Sequence, residues 1–171
     1  LKNYDHLLRI ACNKKILSIS IRKRIKIVKN FSIMLKSYQR PLASLKHLNY
    51  KKILFFQTKI NLNKEEIVFY KNNSLLEGST TNIIAVKKDI LFIPLKSYYF
   101  GTTLRYLLDN TKMKIIKQNI KKNDLKSYSE LLLVGSGKEV ISVSSIRNLA
   151  WRRTSFIAYK KLKNIYKKLL N

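Results

Sequence analysis

Lys46 and Glu77, 31 residues apart, are of types that can do covalent chemistry together. A lysine amine condenses with an aldehyde, and a carboxylate beside a pyridine nitrogen keeps that nitrogen protonated, which makes the ring an electron sink. Neither type means much alone, since 28 of the 171 residues are Lys. Their settings distinguish them. Lys46 stands in Pro41-Leu42-Ala43-Ser44-Leu45-Lys46-His47-Leu48-Asn49-Tyr50, and Glu77 heads the polar run Gly78-Ser79-Thr80-Thr81-Asn82 between two apolar stretches. A lysine that must give and take protons needs its charged form disfavoured, which burial can provide. Only four glycines occur, and Gly101-Thr102-Thr103 and Gly135-Ser136-Gly137 hold three of them. Backbone N–H groups and hydroxyls at a helix start or strand end are what a phosphate needs.

The elements that must position these residues follow from periodicity. Leu7, Leu8, Ile10 and Ala11 predict a helix over 5–16 begun by an Asp5 cap. Residues 19–29 alternate isoleucine with Lys and Arg and read as helix or strand. Arg40-Pro41 breaks whatever precedes it. An amphipathic helix is predicted over 48–62, then two hairpins, 66–70 with 75–76 and 82–86 with 90–93. A helix over 102–109, a short strand over 114–116, strands over 129–134 and 140–143, and a final helix over 151–170 complete the chain. Hairpins mixed with helices give an α+β class rather than a doubly wound sheet.

The length suits one well-buried core, or one domain and part of another. No apolar run approaches the ~20 residues of a membrane helix, so no membrane partner is expected. The chain begins at Leu1, which suggests a fragment. The lone Cys12 rules out an internal disulfide and fits a reducing, cytoplasmic setting. With only His6 and His47 beside it, no metal site is expected. The net charge of +27 invites a nucleic-acid reading. Against it, only eight of the 36 basic residues are Arg, and the lysines are spread rather than gathered in a stripe. The charge reads as solvated surface, with no specific nucleic-acid partner.

The order of these motifs resembles the class IV aminotransferase family, the fold-type IV pyridoxal-phosphate enzymes. The family includes branched-chain and D-amino-acid aminotransferases and aminodeoxychorismate lyase. The resemblance covers roughly residues 40–171, the cofactor-binding large domain, with 1–39 matching only in part as a shortened small domain. Lys46-His47-Leu48-Asn49 looks most like the lyase branch. The resemblance implies pyridoxal 5'-phosphate as cofactor, a small-molecule amino substrate and a homodimer. Lys46 would bind the cofactor covalently and act as the catalytic base. Glu77 would face the pyridine nitrogen, Tyr50 the phenolic oxygen, and Asn82 would support the loop. Thr102, Thr103, Ser136, Gly137 and Arg9 would hold the phosphate. His47 reads equally as a packed or a catalytic histidine. The implied reaction releases pyruvate and forms p-aminobenzoate; the alternatives are transamination of branched-chain or D-amino acids, a non-catalytic paralogue, or a basic nucleic-acid-binding protein. Three positions depart from the family: Ile84 for an aromatic residue, Ile93 for Thr, and Leu104 for a basic residue, with Arg105 one place late. The interval 17–40 is also too short for the strands that cover the substrate side.

Overall fold

Ile83-Ile84-Ala85-Val86 and Leu131-Leu132-Leu133-Val134 are apolar at every position, as strands covered on both faces must be. The computed structural model, which describes residues 6–169, supplies both covers. β1 (His6–Cys12) and β2 (Leu17–Lys23) form a separate antiparallel hairpin. β3 (Phe31–Ser37) enters the main sheet, α1 (Lys51–Gln57) follows the Lys46 loop, and β4 (Glu65–Lys71) returns parallel to β3. Then come β5 (Ser74–Gly78), β6 (Asn82–Lys87), β7 (Ile90–Ile93), α2 (Thr102–Asn110), β8 (Ile115–Lys117), β9 (Glu130–Gly135), β10 (Glu139–Ile146), β11 (Leu149–Arg152) and α3 (Ile157–Lys168). The main sheet runs β5-β4-β3-β10-β9-β6-β7-β8, with β11 on β10.

This sheet curls almost to closure. Beyond its two edges, Leu75 N–H donates to the Ile120 carbonyl at 2.8 Å and Lys122 N–H to the Asn73 carbonyl at 2.7 Å. Ile83, Ala85, Leu131 and Leu133 point inward with Phe31, Ile33 and Trp151. Their alternates Ile84, Val86, Leu132 and Val134 point outward and are covered by Leu104 and Leu107 of α2 and by Ala158 and Leu162 of α3. α1 covers a third cluster, burying Ile53 against Ile67 and Phe69. Three residues that depart from the family are core here: Ile84, Ile93 and Leu104 are fully buried in the layer under α2 and α3.

The hairpins, α2 and the strands flanking Gly135–Gly137 lie where the sequence places them, and the class is α+β. Four elements differ. The helix expected over 5–16 is β1 (Asp5 itself lies outside the described residues). Leu8 and Ile10 pair across to Ile21 and Ile19, and the Asn13 carboxamide accepts the N–H groups of Lys15 and Ile16 to close the turn. The helix expected over 48–62 stops at Gln57, because the chain must turn at once to bring β4 beside β3. The terminal helix begins at Ile157 rather than Trp151. Trp151 is instead a buried strand residue whose indole N–H donates to the Tyr128 carbonyl at 3.0 Å. The Glu130 carboxylate accepts the N–H groups of Ala158 and Tyr159, each at 2.9 Å, and so fixes where α3 starts. Finally, β3, for which the sequence reading names no element, belongs to the main sheet, between β10 and β4. Among the described residues no helix is long and apolar enough to cross a membrane.

Candidate active site

One cleft gathers the end of β5, the loop 78–81, the start of β6, the loop before α2, the turn after β9 and the Lys46 loop. Glu77 is its buried anion, at 6% exposure. Arg40 approaches side-on, with Nε 2.9 Å from Oε1 and Nη2 3.2 Å from Oε2. The Tyr99 backbone N–H adds a third bond to Oε2 at 3.0 Å. A carboxylate offers about four acceptor directions, so Oε1, with one donor, keeps a lone pair for one more. That is the requirement for holding a pyridinium N–H.

Arg40 also fixes the segment that carries the lysine. Its Nη1 donates to the Leu45 carbonyl at 2.9 Å and its Nη2 to the Ala43 carbonyl at 2.7 Å. This bracing holds a tight turn in which Leu42 sits at φ 45°, a left-handed conformation that costs a side-chain-bearing residue about 1–2 kcal/mol. His47 is structural: Nε2 meets the Pro41 carbonyl at 2.8 Å and Nδ1 accepts the Asn49 N–H at 3.1 Å, a pair that a ring with its hydrogen on Nε2 satisfies. Lys46 lines the cleft with its Nζ over the Tyr99 ring, 5.8 Å from the centroid. Lys46 is exposed.

The polar run after Glu77 is held from behind by Glu66, which is fully buried. Its Oε1 accepts the Thr80 N–H at 2.7 Å, the Thr80 hydroxyl at 3.1 Å and the Ser79 hydroxyl at 3.3 Å, and its Oε2 binds Lys138 Nζ at 2.7 Å. Gly78 has no room for a side chain: a Cβ there would stand 2.2 Å from Thr81 Oγ1. Thr81 Oγ1 is itself buried in the cleft wall with no partner among the described residues. Asn82 clamps the next loop, its Nδ2 donating to the Tyr99 carbonyl at 2.5 Å and its Oδ1 accepting the Gly101 N–H at 3.1 Å. That clamp aims the start of α2, which has no side-chain cap, into the cleft. The open amides of a helix start and the hydroxyls of Thr102, Thr103 and Ser136 form a donor set for an anion.

Of the residues singled out in the sequence, Lys46, Tyr50, Glu77, Asn82, Thr102, Thr103 and Ser136 all line this cleft. Arg9 and Gly137 do not. Arg9 is exposed on β1, and Gly137 lines a different cavity behind the turn. The arginine that does reach the turn is Arg24, whose Nη1 donates to the Ser136 carbonyl at 2.7 Å. Arg40, Glu66 and Tyr99 escaped the sequence reading. Only Arg40 had a local signal, an arginine six residues before Lys46 and next to a proline. The cleft encloses about 130 Å³, less than the several hundred of a closed ligand pocket, as its exposed lysine rim requires.

A family profile described as amino-transferase class IV matches residues 6–146. No curated protein sequence matches. Among solved structures, a putative 4-amino-4-deoxychorismate lyase from Legionella pneumophila superposes with a TM-score of 0.77 at 18% identity, covering 88% of this chain and 60% of that one. A branched-chain aminotransferase from Thermoproteus uzoniensis, solved with norvaline, gives 0.77 at 16% identity, covering 90% and 56%. A hypothetical aminotransferase from Mycobacterium tuberculosis, solved in its PLP-bound form, gives 0.69 at 17%, covering 81% and 55%. The chain thus spans 60% or less of these three proteins. With the profile matching over most of its length and the fold alike, this chain belongs to the class IV aminotransferase family.

Proposed function

We propose that this chain carries the pyridoxal-phosphate site of a class IV enzyme of the aminodeoxychorismate lyase type, which releases pyruvate and forms p-aminobenzoate. The observation that carries the proposal is the meeting of Lys46, Glu77, the start of α2 and Ser136 in one cleft. The residues fit the cofactor: an anion-accepting donor set at one end, a braced carboxylate with a free lone pair on Oε1, and an amine at the rim. When bound, pyridoxal phosphate supplies an aldehyde carbon and an electron-withdrawing ring. Thr102, Thr103 and Ser136 hold the phosphate end. Glu77 would keep a proton on the ring nitrogen, and Arg40 and the Tyr99 N–H hold its carboxylate in place. Tyr50, at the start of α1, lines the same cleft and is assigned to the ring's phenolic oxygen. Lys46 takes and returns the proton at the substrate α-carbon.

Lys46-His47-Leu48-Asn49 supports the lyase branch. The equal TM-score to the Thermoproteus aminotransferase supports transamination of branched-chain or D-amino acids as the second reading. A homodimer is part of the proposal, because the exposed rim at Lys46 needs a cover to exclude water. The test is borohydride reduction of the protein with pyridoxal phosphate, then peptide mapping, run beside assays of pyruvate release and amino transfer. Label on the Lys46 peptide is expected. Label spread over many lysines, or none, refutes the site.

A further inference from the structure

A second cavity lies behind the Gly135–Gly137 turn, walled by the segment before β3, the start of β10 and the first turns of α3, and it encloses about 500 Å³. That volume is in the range of ligand pockets. Its lining holds five cationic side chains, Arg24, Lys29, Lys138, Arg153 and Lys163, against the single carboxylate of Glu139. Lys163 pairs with Glu139 and Lys138 with the buried Glu66.

Arg153 is different. Among the described residues its side chain donates through Nη1, to the Ser142 carbonyl at 3.2 Å, the Ser142 hydroxyl at 3.0 Å and the Val143 carbonyl at 3.4 Å, while its Nε is buried and has no partner there. The Nε–Nη2 edge is the one by which arginine grips an oxyanion side-on, and in this same chain Arg40 uses that edge on Glu77. Burial pushes the Arg153 guanidinium below its ordinary value, the nearby Glu130 carboxylate opposes that shift, and Glu130 is itself occupied by Ser155, Ala158 and Tyr159. Phe156 stacks on the guanidinium, 3.6 Å from ring centroid to Cζ, and fixes its plane. Tyr159 meets Phe156 edge-on, which continues an aromatic wall into the cavity.

A ligand for this cavity must bring an oxyanion to the Arg153 edge, carry enough negative charge for the excess of cations, and place an apolar ring beside Phe156 and Tyr159. We propose that the cavity binds a small aromatic phosphate monoester, with its phosphate on Arg153 and Lys29 and its ring on the Phe156–Tyr159 wall. The site is separate from the candidate active site and does not depend on the cofactor there.

Phenyl phosphate, titrated into the full chain at fixed ionic strength and followed by backbone amide NMR, tests this. Saturating shifts centred on Gly137–Ser142 and Arg153–Tyr159 are expected, with one molecule bound per chain. Arg153→Gln should weaken binding at least tenfold. Lys29→Gln, an exposed rim change that leaves the core untouched, should weaken it severalfold, and Thr103→Val in the first cleft should not weaken it. Phenol should not saturate. Shifts centred on Gly101–Thr103, loss of binding in Thr103→Val, unchanged affinity in Lys29→Gln, or no saturable shift would each overturn the proposal. Inorganic phosphate binding as tightly as phenyl phosphate would overturn the aromatic part of the assignment.

Discussion

Arg40 and Glu77 form a side-on ion pair, 2.9 Å at its shorter contact, in which both side chains are more than nine-tenths buried. The same guanidinium holds the carbonyls of Ala43 and Leu45. One side chain therefore fixes the position of the carboxylate and of the loop that presents Lys46. This is why residues 37 positions apart act as one unit.

Replacing Glu77 with Gln keeps the shape of the side chain but removes the charge that would hold a pyridine nitrogen protonated. Pyridoxal phosphate should still label Lys46, while the proton-transfer step slows by about 10²-fold or more, the usual scale for losing one preorganised electrostatic partner. Single-turnover kinetics compared with labelling yield separate the two effects. Equal rates in both proteins would remove Glu77 from the proposed role.

Arg40→Lys tests the bracing. Lysine has a single ammonium and cannot bridge both carboxylate oxygens while also reaching two carbonyls. Breaking a buried pair in this way costs on the order of 3 kcal/mol, partly offset here by the charge that remains. The expected result is a lower denaturation midpoint together with poorer Lys46 labelling at subsaturating cofactor. A midpoint within error of the parent chain would show that the turn at Leu42 holds itself.

Gly78→Ala addresses the loop between Glu77 and Asn82. The added methyl would overlap Thr81 Oγ1 and come within 2.8 Å of Glu66 Oε1, so either the Thr81 side chain or the loop must shift. Overpacking of this kind costs about 1–3 kcal/mol. Thr81→Ala in the same chain should recover most of the loss, because it removes the nearer atom, and the double-mutant cycle measures that recovery.

Much of this site could be read from the sequence because its parts are local. Polar runs between apolar stretches announce themselves: Glu77 and Asn82 bound one, Thr102 with Thr103 and Ser136 lie in two others, and Lys46 is marked by the motif around it. What could not be read depends on contacts distant in the chain. Glu66 is one glutamate at the head of a strand, and nothing nearby says that Lys138, 72 residues on, will reach it. Arg9 was misplaced for a related reason: Leu7, Leu8, Ile10 and Ala11 suit a helix face, but pairing to residues 17–23 makes the segment a strand. Trp151 likewise fits either element until the Tyr128 carbonyl claims its indole.

Burial pushes the Tyr128 and Tyr166 hydroxyls above their ordinary value of 10.0, and Asp124 beside Tyr128 and Glu139 near Tyr166 add to the rise. An acid whose folded value is raised keeps its full stabilising contribution below its unfolded value and loses it as pH climbs through the folded one. Stability should therefore be flat in this respect up to about pH 10 and fall above it. Deprotonation of lysines in the same range relieves the self-repulsion of a chain with net charge +27 and works in the opposite direction. Comparing urea midpoints of the parent and Tyr166→Phe at pH 8 and pH 11 isolates the tyrosine. The parent should lose more than the variant between those pH values, and equal losses would refute the assignment.

Lys138 and Glu66 make the deepest ion pair in the described residues, 2.7 Å apart with side chains 5% and 0% exposed. Glu66 also holds Thr80 and Ser79, so the pair anchors the wall of the candidate active site from the side of the second cavity. Lys138→Met would leave the Glu66 charge buried with only neutral donors, a loss on the order of 3–5 kcal/mol. Adding Glu66→Gln removes the stranded charge while keeping an oxygen to accept the Thr80 N–H, so the double variant should be more stable than Lys138→Met alone. It should also bind pyridoxal phosphate more tightly than that single variant, because the Ser79–Thr81 loop regains its support. If the double variant is no more stable than Lys138→Met, the loop is held by its own backbone and Glu66 is not its anchor.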